Sequence, residues 1–79
     1  MSENSAFDAE LDASGLNCPL PMLRAKKALA GLASGQVLRI IATDPGSPRD
    51  FEVFAKQTGH ELLRVERGEK RWTFYLKRR

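Results

Sequence analysis

The sequence is organised around one stretch near its N-terminus, Leu11-Asp12-Ala13-Ser14-Gly15-Leu16-Asn17-Cys18-Pro19-Leu20-Pro21-Met22-Leu23-Arg24. It holds the single cysteine of the chain, followed by two prolines that flank Leu20. Proline suits the first turn of a helix because the amide hydrogen that it lacks would have no intrahelical partner there. The stretch therefore predicts a strand, a turn and a helix, with Cys18 at or next to the helix N-terminus.

This placement predicts the chemistry of the thiol. Unpaired N–H groups and the helix dipole favour negative charge at a helix N-terminus. A free thiol titrates near ~8.5, and helix N-termini or basic neighbours can lower its pKa to roughly 3.5–7.5. A lone cysteine is more often a small buried hydrophobe. Cys18, however, lies in a turn outside the apolar stripe of the helix, so we expect an exposed, reactive nucleophile.

Hydrophobic periodicity and turn residues predict four strands and two helices in the order βαβαββ. The predicted bounds are a strand at 9–13, a helix from 19 or 21 to 33, a strand at 37–43, a helix from 47 to 59, and strands at 61–67 and 71–77. Ser34-Gly35 is the predicted stop of the first helix, Ser47 the N-cap of the second, and Gly68-Glu69 the turn of a terminal hairpin.

The apolar positions of these elements predict one core. The predicted core residues are Met22, Ala25, Leu29 and Leu32 of the first helix, Leu38, Ile40 and Ala42 of the second strand, Phe51, Phe54, Ala55 and Thr58 of the second helix, and Trp72, Phe74 and Leu76 of the last strand. In the last strand, Thr73, Tyr75 and Lys77 alternate with these core residues and therefore point to the opposite side of the sheet. That opposite side is predicted to have no large apolar surface. Because strand–helix–strand crossovers are right-handed, both helices should cover the same side of the sheet. We expect an α/β (α+β) two-layer sandwich, with a four-stranded mixed sheet and two helices on one face, formed by residues 9–79 after a disordered segment at 1–8.

Composition excludes several classes of protein. One cysteine allows no internal disulfide, which favours a reducing compartment. Residues 1–10 carry three acids, no base and no long apolar run, so they do not resemble a signal peptide. No segment approaches the ~20 apolar residues of a membrane span. We expect a soluble, cytoplasmic monomer without membrane contact.

The charge is unevenly distributed. Residues 1–12 hold four acids and no base, whereas residues 13–79 hold thirteen bases and six acids, a net charge of +7. Bases cluster at Arg24, Lys26 and Lys27 and again near the C-terminus at 70, 71 and 77–79. This balance suits an acidic protein partner or a nucleic acid, and equally an ordinary solvated surface.

The sequence offers little for metal or hydrolytic chemistry. One cysteine and one histidine cannot supply the ligands of a zinc site, so we predict no metal and no cofactor. A Cys–His pair with His60 is conceivable, but His60 directly follows the predicted helix stop Gly59, where a histidine more often caps the helix or is solvated. Asp44 precedes Pro45-Gly46 and is predicted to be a turn residue.

The segment Gly15-Leu16-Asn17-Cys18-Pro19-Leu20-Pro21 resembles the Gly-Leu-x-Cys-Pro-x-Pro signature of the TusA/SirA family of sulfur carriers. The resemblance continues through Ile41-Ala42-Thr43-Asp44-Pro45, Arg49-Asp50 and Gly59-His60-Glu61-Leu62. It implies the same sandwich fold and a sulfur carrier that holds a sulfane sulfur as a persulfide on Cys18. It also implies a donor such as a cysteine desulfurase, a downstream acceptor protein, and a relay rather than a free-standing enzyme.

Several points stay open at this stage. The best-known branch of the family serves tRNA 2-thiouridine synthesis, and others serve sulfur oxidation or molybdenum-cofactor metabolism; Leu20 stands where many members of the first branch have glutamate. The residues expected to dock partners or stabilise an anionic sulfur are Pro19, Leu20, Pro21, Arg24, Lys27 and Arg49.

A βαβαββ sandwich with a basic body also resembles the C-terminal domain of translation initiation factor three, an RNA-binding module, although we expect no direct nucleic-acid contact. A regulatory interaction domain without chemistry is the third alternative.

Overall fold

The structure is a computed structural model that describes residues 7–79. Its elements in chain order are β1 (Ala9–Ala13), α1 (Leu20–Ala30), β2 (Val37–Ala42), α2 (Ser47–Thr58), β3 (Glu61–Arg67) and β4 (Trp72–Lys77). The four strands form one sheet in the order β1-β2-β4-β3, in which β1 and β2 run parallel and the other neighbours antiparallel. The helices pack against the sheet and against each other. The predicted two-layer sandwich is confirmed.

The core lies between the sheet and the helices, because β2 and β4 turn every second side chain towards α1 and α2. The largest fully buried apolar side chains are Leu29, Leu38, Ile40, Phe51, Phe74 and Leu76. The ring of Phe51 lies 4.6 Å from that of Phe74 and meets Phe54 edge-on at 6.4 Å. The predicted core faces are therefore confirmed, with Met22, Leu32 and Trp72 half-buried at the margin.

Both helices differ from the prediction at one end. α1 ends at Ala30 rather than at 33, because Gly31 takes the C-cap position and glycine is a poor helix former. α2 begins at Ser47 with Gly46 as its N-cap, so the prediction of Ser47 as the cap is wrong by one residue. Its hydroxyl is buried and finds no hydrogen-bond partner within residues 7–79.

Asp44 explains the earlier start of α2. Its carboxylate accepts a hydrogen bond from the Gly46 N–H at 3.0 Å, and its carbonyl accepts one from the Ser47 N–H at 3.0 Å. The turn thus feeds directly into the helix, and the predicted turn role of Asp44 is confirmed.

The outer face of the sheet carries one large buried side chain that the alternation pattern did not predict. Tyr75 is only 4% exposed although it points away from the helices. The guanidinium carbons of Arg39 and Arg64 lie 6.0 and 4.7 Å from its ring centroid, and Arg39 also pairs with Glu10. Arginine stems and cation–π contacts cover this ring in place of a second helical layer.

The N-terminal edge of the described range is tied to the sheet. The Asp8 N–H donates to the Val37 carbonyl at 2.8 Å, and the Asp8 carboxylate accepts from the Val37 N–H at 2.8 Å. Most of the segment predicted to be disordered, residues 1–6, lies outside the described residues. From residue 7 onward no helix is long and apolar enough to cross a membrane.

We predict that Gly59→Ala destabilises the fold by about 1–2 kcal/mol, the cost of a side chain in the left-handed region. Gly59 has φ +83°, and an added Cβ would lie 2.8 Å from Cδ of Arg79. Gly31→Ala is the matched control, because Gly31 has φ −89° and space for a Cβ. Urea unfolding measures both changes, and an equal effect of the two substitutions would contradict the prediction.

Candidate functional site

The loop between β1 and α1 places the only cysteine at one edge of the sheet. The Gly15 N–H donates to the Thr43 hydroxyl at 2.8 Å, which ties this loop to the end of β2. Gly15 has φ +80°, the left-handed conformation that a glycine adopts most readily. Cys18 follows as an exposed residue two positions before α1, and its peptide bond to Pro19 is cis. The predicted position beside a helix N-terminus is confirmed.

Asp50 is the direct partner of the cysteine. The Cys18 thiol donates a hydrogen bond to Asp50 Oδ2 at 2.8 Å. Asp50 lies in the first turn of α2. Because β1 and β2 are parallel, the loops that follow them emerge at the same edge of the sheet and bring the two residues together.

Sequence reasoning missed this contact, since Asp50 was assigned only to a helix start. Two signals pointed to it. The segment Arg49-Asp50 belongs to the second block of the family resemblance, and two successive right-handed crossovers bring their loops to one sheet edge. The sequence gives no direct indication of which side chain on that second loop would face the sulfur.

The electrostatics of the thiol differ from the prediction. The hydrogen bond to Asp50 raises the pKa of Cys18, and partial desolvation and the negative charges of Asp50 and Asp44 raise it further. The expectation that the pKa is lowered is therefore wrong for the resting protein. Two nearby carboxylates disfavour a third negative charge on the sulfur.

The start of α1 offers few backbone N–H groups to an anion. Pro19 and Pro21 have no N–H group, and the Leu20 N–H donates to the Asn17 carbonyl at 2.8 Å. The Leu23 N–H donates to the Pro19 carbonyl at 3.1 Å. The prolines that mark this helix start in the sequence also remove donors that would bind an anion.

The residues predicted to dock partners are placed as follows. Pro19, Leu20, Arg24, Lys27 and Arg49 are exposed, whereas Pro21 is buried and packs into the protein. On α1, the exposed residues recur three or four positions apart, which puts them on one helix face beginning beside Cys18. We call this the α1 docking face; it consists of Leu20, Leu23, Arg24 and Lys27. Leu23, 49% exposed, is the member that sequence reasoning missed.

Arg49 adjoins the site through its neighbour in the chain, since it directly precedes Asp50 in the first turn of α2. It is exposed, so its charge is available to a molecule that approaches the sulfur.

His60 lies at the other end of α2 from the cysteine. The Asp50 and His60 backbones are about 15 Å apart at the 1.5 Å rise per residue of a helix. His60 Nδ1 accepts a hydrogen bond from the Arg79 N–H at 3.0 Å, and its ring is 5.7 Å from that of Phe54. Burial lowers the pKa of His60, as do the charges of Arg78 and Arg79. A Cys–His catalytic pair is thus excluded by geometry.

The described part of the chain has no group of three or more histidine, cysteine, aspartate or glutamate side chains placed to hold a metal ion.

Comparison with known proteins shows the family of this chain. The model of the family described as sulfurtransferase TusA matches residues 9–78, which include both Cys18 and Asp50. The chain belongs to the TusA family. The resemblance found in the sequence is confirmed.

Relatives match the chain over most of its length. It is 61% identical over 72 residues to the sulfur carrier protein TusA of Allochromatium vinosum, covering 91% of this chain and 95% of that protein. It is 42% identical over 72 residues to the sulfur carrier protein TusA of Pseudomonas entomophila, covering 91% and 90%. The crystal structure of a SirA-like protein from Desulfitobacterium hafniense superposes with a TM-score of 0.78 at 28% identity, over 89% of this chain and 96% of that one. The TusA fold thus accounts for nearly all of the described residues.

We predict that Asp50→Asn lowers the pKa of Cys18. The substitution removes the charge that opposes the thiolate but keeps an oxygen able to accept the S–H hydrogen bond. The rate of iodoacetamide alkylation measured against pH reports the thiolate fraction. The midpoint of the alkylation rate against pH should lie above that of free cysteine in the wild type, and it should shift downward in the Asp50→Asn variant.

Glu52→Gln is the control for this prediction, because Glu52 is an exposed acid on the same helix, and its loss should leave the midpoint unchanged. A midpoint in Asp50→Asn equal to or above that of the wild type would show that Asp50 does not hold the thiol proton.

Proposed function

We propose that this chain is a sulfur carrier that holds a sulfane sulfur as a persulfide on Cys18. The single observation that carries the proposal is an exposed, solitary thiol on the cysteine loop of a TusA-family fold. A carrier must present its sulfur to two different proteins, and an exposed loop at a sheet edge permits this. Because the chain has one cysteine, no second thiol within it can displace the cargo and close a disulfide.

Loading and release are two displacements at sulfur. The Cys18 thiolate attacks the outer sulfur of a persulfide on the donor. The new sulfur–sulfur bond forms as the bond to the donor's inner sulfur breaks, and the donor leaves as a thiolate. An acceptor thiolate then attacks the outer sulfur of the Cys18 persulfide, which returns Cys18 as a thiolate. The number of electrons is conserved in both steps, so no external oxidant or reductant is needed.

Asp50 favours one state of the thiol in the empty carrier, before loading. By accepting the S–H hydrogen bond at 2.8 Å, it favours the protonated and less reactive form in the free protein. A docked partner that binds the carboxylates of Asp50 and Asp44, or that brings a positive charge to them, would lower the pKa of the thiol again. The thiolate would then form where the donor persulfide is already in place.

The α1 docking face supplies the contact surface. Leu20 and Leu23 are 44% and 49% exposed, and Arg24 and Lys27 continue the same face away from the cysteine. An apolar patch with a basic border suits a partner that offers an apolar pocket and acidic groups. We propose a cysteine desulfurase as the donor class and a second protein thiol as the acceptor.

The family resemblance implies tRNA thiolation as one destination of the sulfur. The acceptor would then be a protein of that relay, and the RNA would be reached only later in the sequence of transfers. Leu20 makes the start of the docking face apolar where many members of that branch carry a negative charge. Acceptor pull-downs with the Cys18 persulfide identify the destination.

The first test is loading of the thiol. The chain is incubated with a cysteine desulfurase and cysteine, and its intact mass is then measured. We expect a gain equal to the mass of one sulfur atom, lost on treatment with a reductant and absent in Cys18→Ser. A chain that gains no sulfur, or a Cys18→Ser variant that still gains it, would overturn the proposal.

The second test concerns the docking face. Leu23→Ser should reduce the second-order rate constant of loading by about 5–30-fold, corresponding to about 1–2 kcal/mol of lost apolar contact. Leu63→Ser is the matched control, since Leu63 is 46% exposed but lies on β3 away from the cysteine. Alkylation of Cys18 by iodoacetamide should be the same in both. Equal loading rates for the two variants would argue against docking through α1.

A further inference from the structure

The turn between β3 and β4 lies at the same end of the molecule as the cysteine. One row of paired residues crosses the sheet, from Ala13 through Ala42 and Trp72 to Arg67. Ala13 ends the strand that leads to the cysteine loop, and Arg67 ends the strand that leads into the hairpin turn. Both segments therefore project from the same edge of the sheet.

We call residues 67–71 the hairpin tip; its sequence is Arg67-Gly68-Glu69-Lys70-Arg71. All five residues are exposed, and three bases against one acid give the tip a net charge of +2. The ion pairs of residues 7–79 are those of Arg39 with Glu10 and of Arg64 with Glu66. Within the described part of the chain, the three bases of the tip thus form no ion pair with a carboxylate.

The charge of Arg71 acts on the strand that leads to the cysteine loop. Hydrogen bonds from Ser14 lower the pKa of Asp12, and the charge of Arg71 lowers it further. Asp12 is the residue before Ala13, with which β1 ends, so this charge of the tip lies near the start of the loop.

One partner protein is large enough to contact both the cysteine loop and the hairpin tip. Strands in a sheet lie about 4.8 Å apart, so the strands leading to the cysteine loop and to the hairpin tip are about 14 Å apart. A protein interface of ordinary size buries about 800 Å² on each side, a disc about 30 Å across. The described part of the molecule measures 30 by 27 by 18 Å between Cα atoms. An interface of ordinary size that includes Cys18 is therefore wide enough to include the tip as well.

We propose that the hairpin tip is a second docking element, which binds an acidic patch on the same protein whose thiol exchanges sulfur with Cys18. This inference rests on the proposed function and extends it to a surface outside the α1 docking face. α1 packs on β1 and β2, whereas the tip joins β3 and β4 on the other half of the sheet. Contacts to both elements would orient the partner's thiol as well as attract it.

The chemistry of this end favours a protein over a nucleic acid. Sequence-tolerant binding of single strands uses exposed aromatic side chains on which bases stack. Phe7 is the one exposed aromatic among residues 7–79, and it precedes β1 at the opposite end of the sheet. Trp72 adjoins the tip but is half-buried and packs against the core. The tip also carries Glu69 among its bases, which would oppose phosphate contacts.

The test compares two charge reversals of equal size. The tip variant is Lys70→Glu/Arg71→Glu. The control is Lys56→Glu/Lys77→Glu, whose side chains are exposed at the end of the molecule away from the cysteine. The probe is the cysteine desulfurase that loads the wild-type chain, supplied with cysteine. Loading rates are followed by intact mass at increasing salt, and iodoacetamide alkylation reports the thiol itself.

We expect the tip variant to be loaded about tenfold more slowly than the wild type at low salt. The difference should shrink as salt screens the charges. The control should approach the wild-type rate, within about twofold, at about 0.1 M salt, where the Debye length is about 10 Å and charges at the opposite end of the molecule are largely screened from the reacting end. Alkylation should be the same in all three proteins. Should the reversal prevent folding, Lys70→Gln/Arg71→Gln gives the same comparison with a smaller charge change.

Each alternative result has a distinct meaning. Equal slowing of the tip variant and the control would overturn docking by the tip and leave the carrier function standing. Absence of loading in the wild type would overturn the proposed function and this inference with it. Unchanged loading, together with loss of binding to poly(U) RNA in the tip variant alone, would make the tip a nucleic-acid contact and refute the protein-docking proposal.

Discussion

The hydrogen bond from Cys18 to Asp50 depends on the parallel pairing of β1 and β2, which brings two distant loops to one edge of the sheet. Moving β2 by one residue would turn its buried face outward and carry Asp50 away from the sulfur. The core therefore fixes the distance between thiol and carboxylate. In this way a small hydrophobic interior holds in place the carboxylate that raises the pKa of an exposed thiol.

The order of elements, the core faces and the position of Cys18 could all be predicted from the sequence, because periodicity and proline placement report local geometry directly. The pKa of Cys18 could not. Its direction depends on Asp50 and Asp44, which approach the sulfur through tertiary structure. Tyr75 was missed for a similar reason, since alternation along one strand does not reveal which arginines on neighbouring strands cover its ring. Helix ends deviated where Gly31 and Asp44 competed with the expected caps.

A raised thiol pKa is compatible with a relay. The empty carrier encounters many reactive small molecules before it meets a donor, and a protonated thiol is a poor nucleophile towards all of them. The carboxylates that favour this state are at the surface, where a docked protein can bind or neutralise them. Reactivity would then follow docking, which fits the proposal that basic and apolar contacts around Cys18 select the partner before sulfur moves.

β3 forms one border of the sheet, where unpaired backbone N–H and C=O groups could join the border of another copy. Four of its seven residues are charged: Glu61, Arg64, Glu66 and Arg67. Natural sheets use charges in this position to discourage edge-to-edge association and the growth of aggregates. A protein that must meet several partners in turn benefits from this protection, because copies that associate through their sheets would be unavailable to those partners.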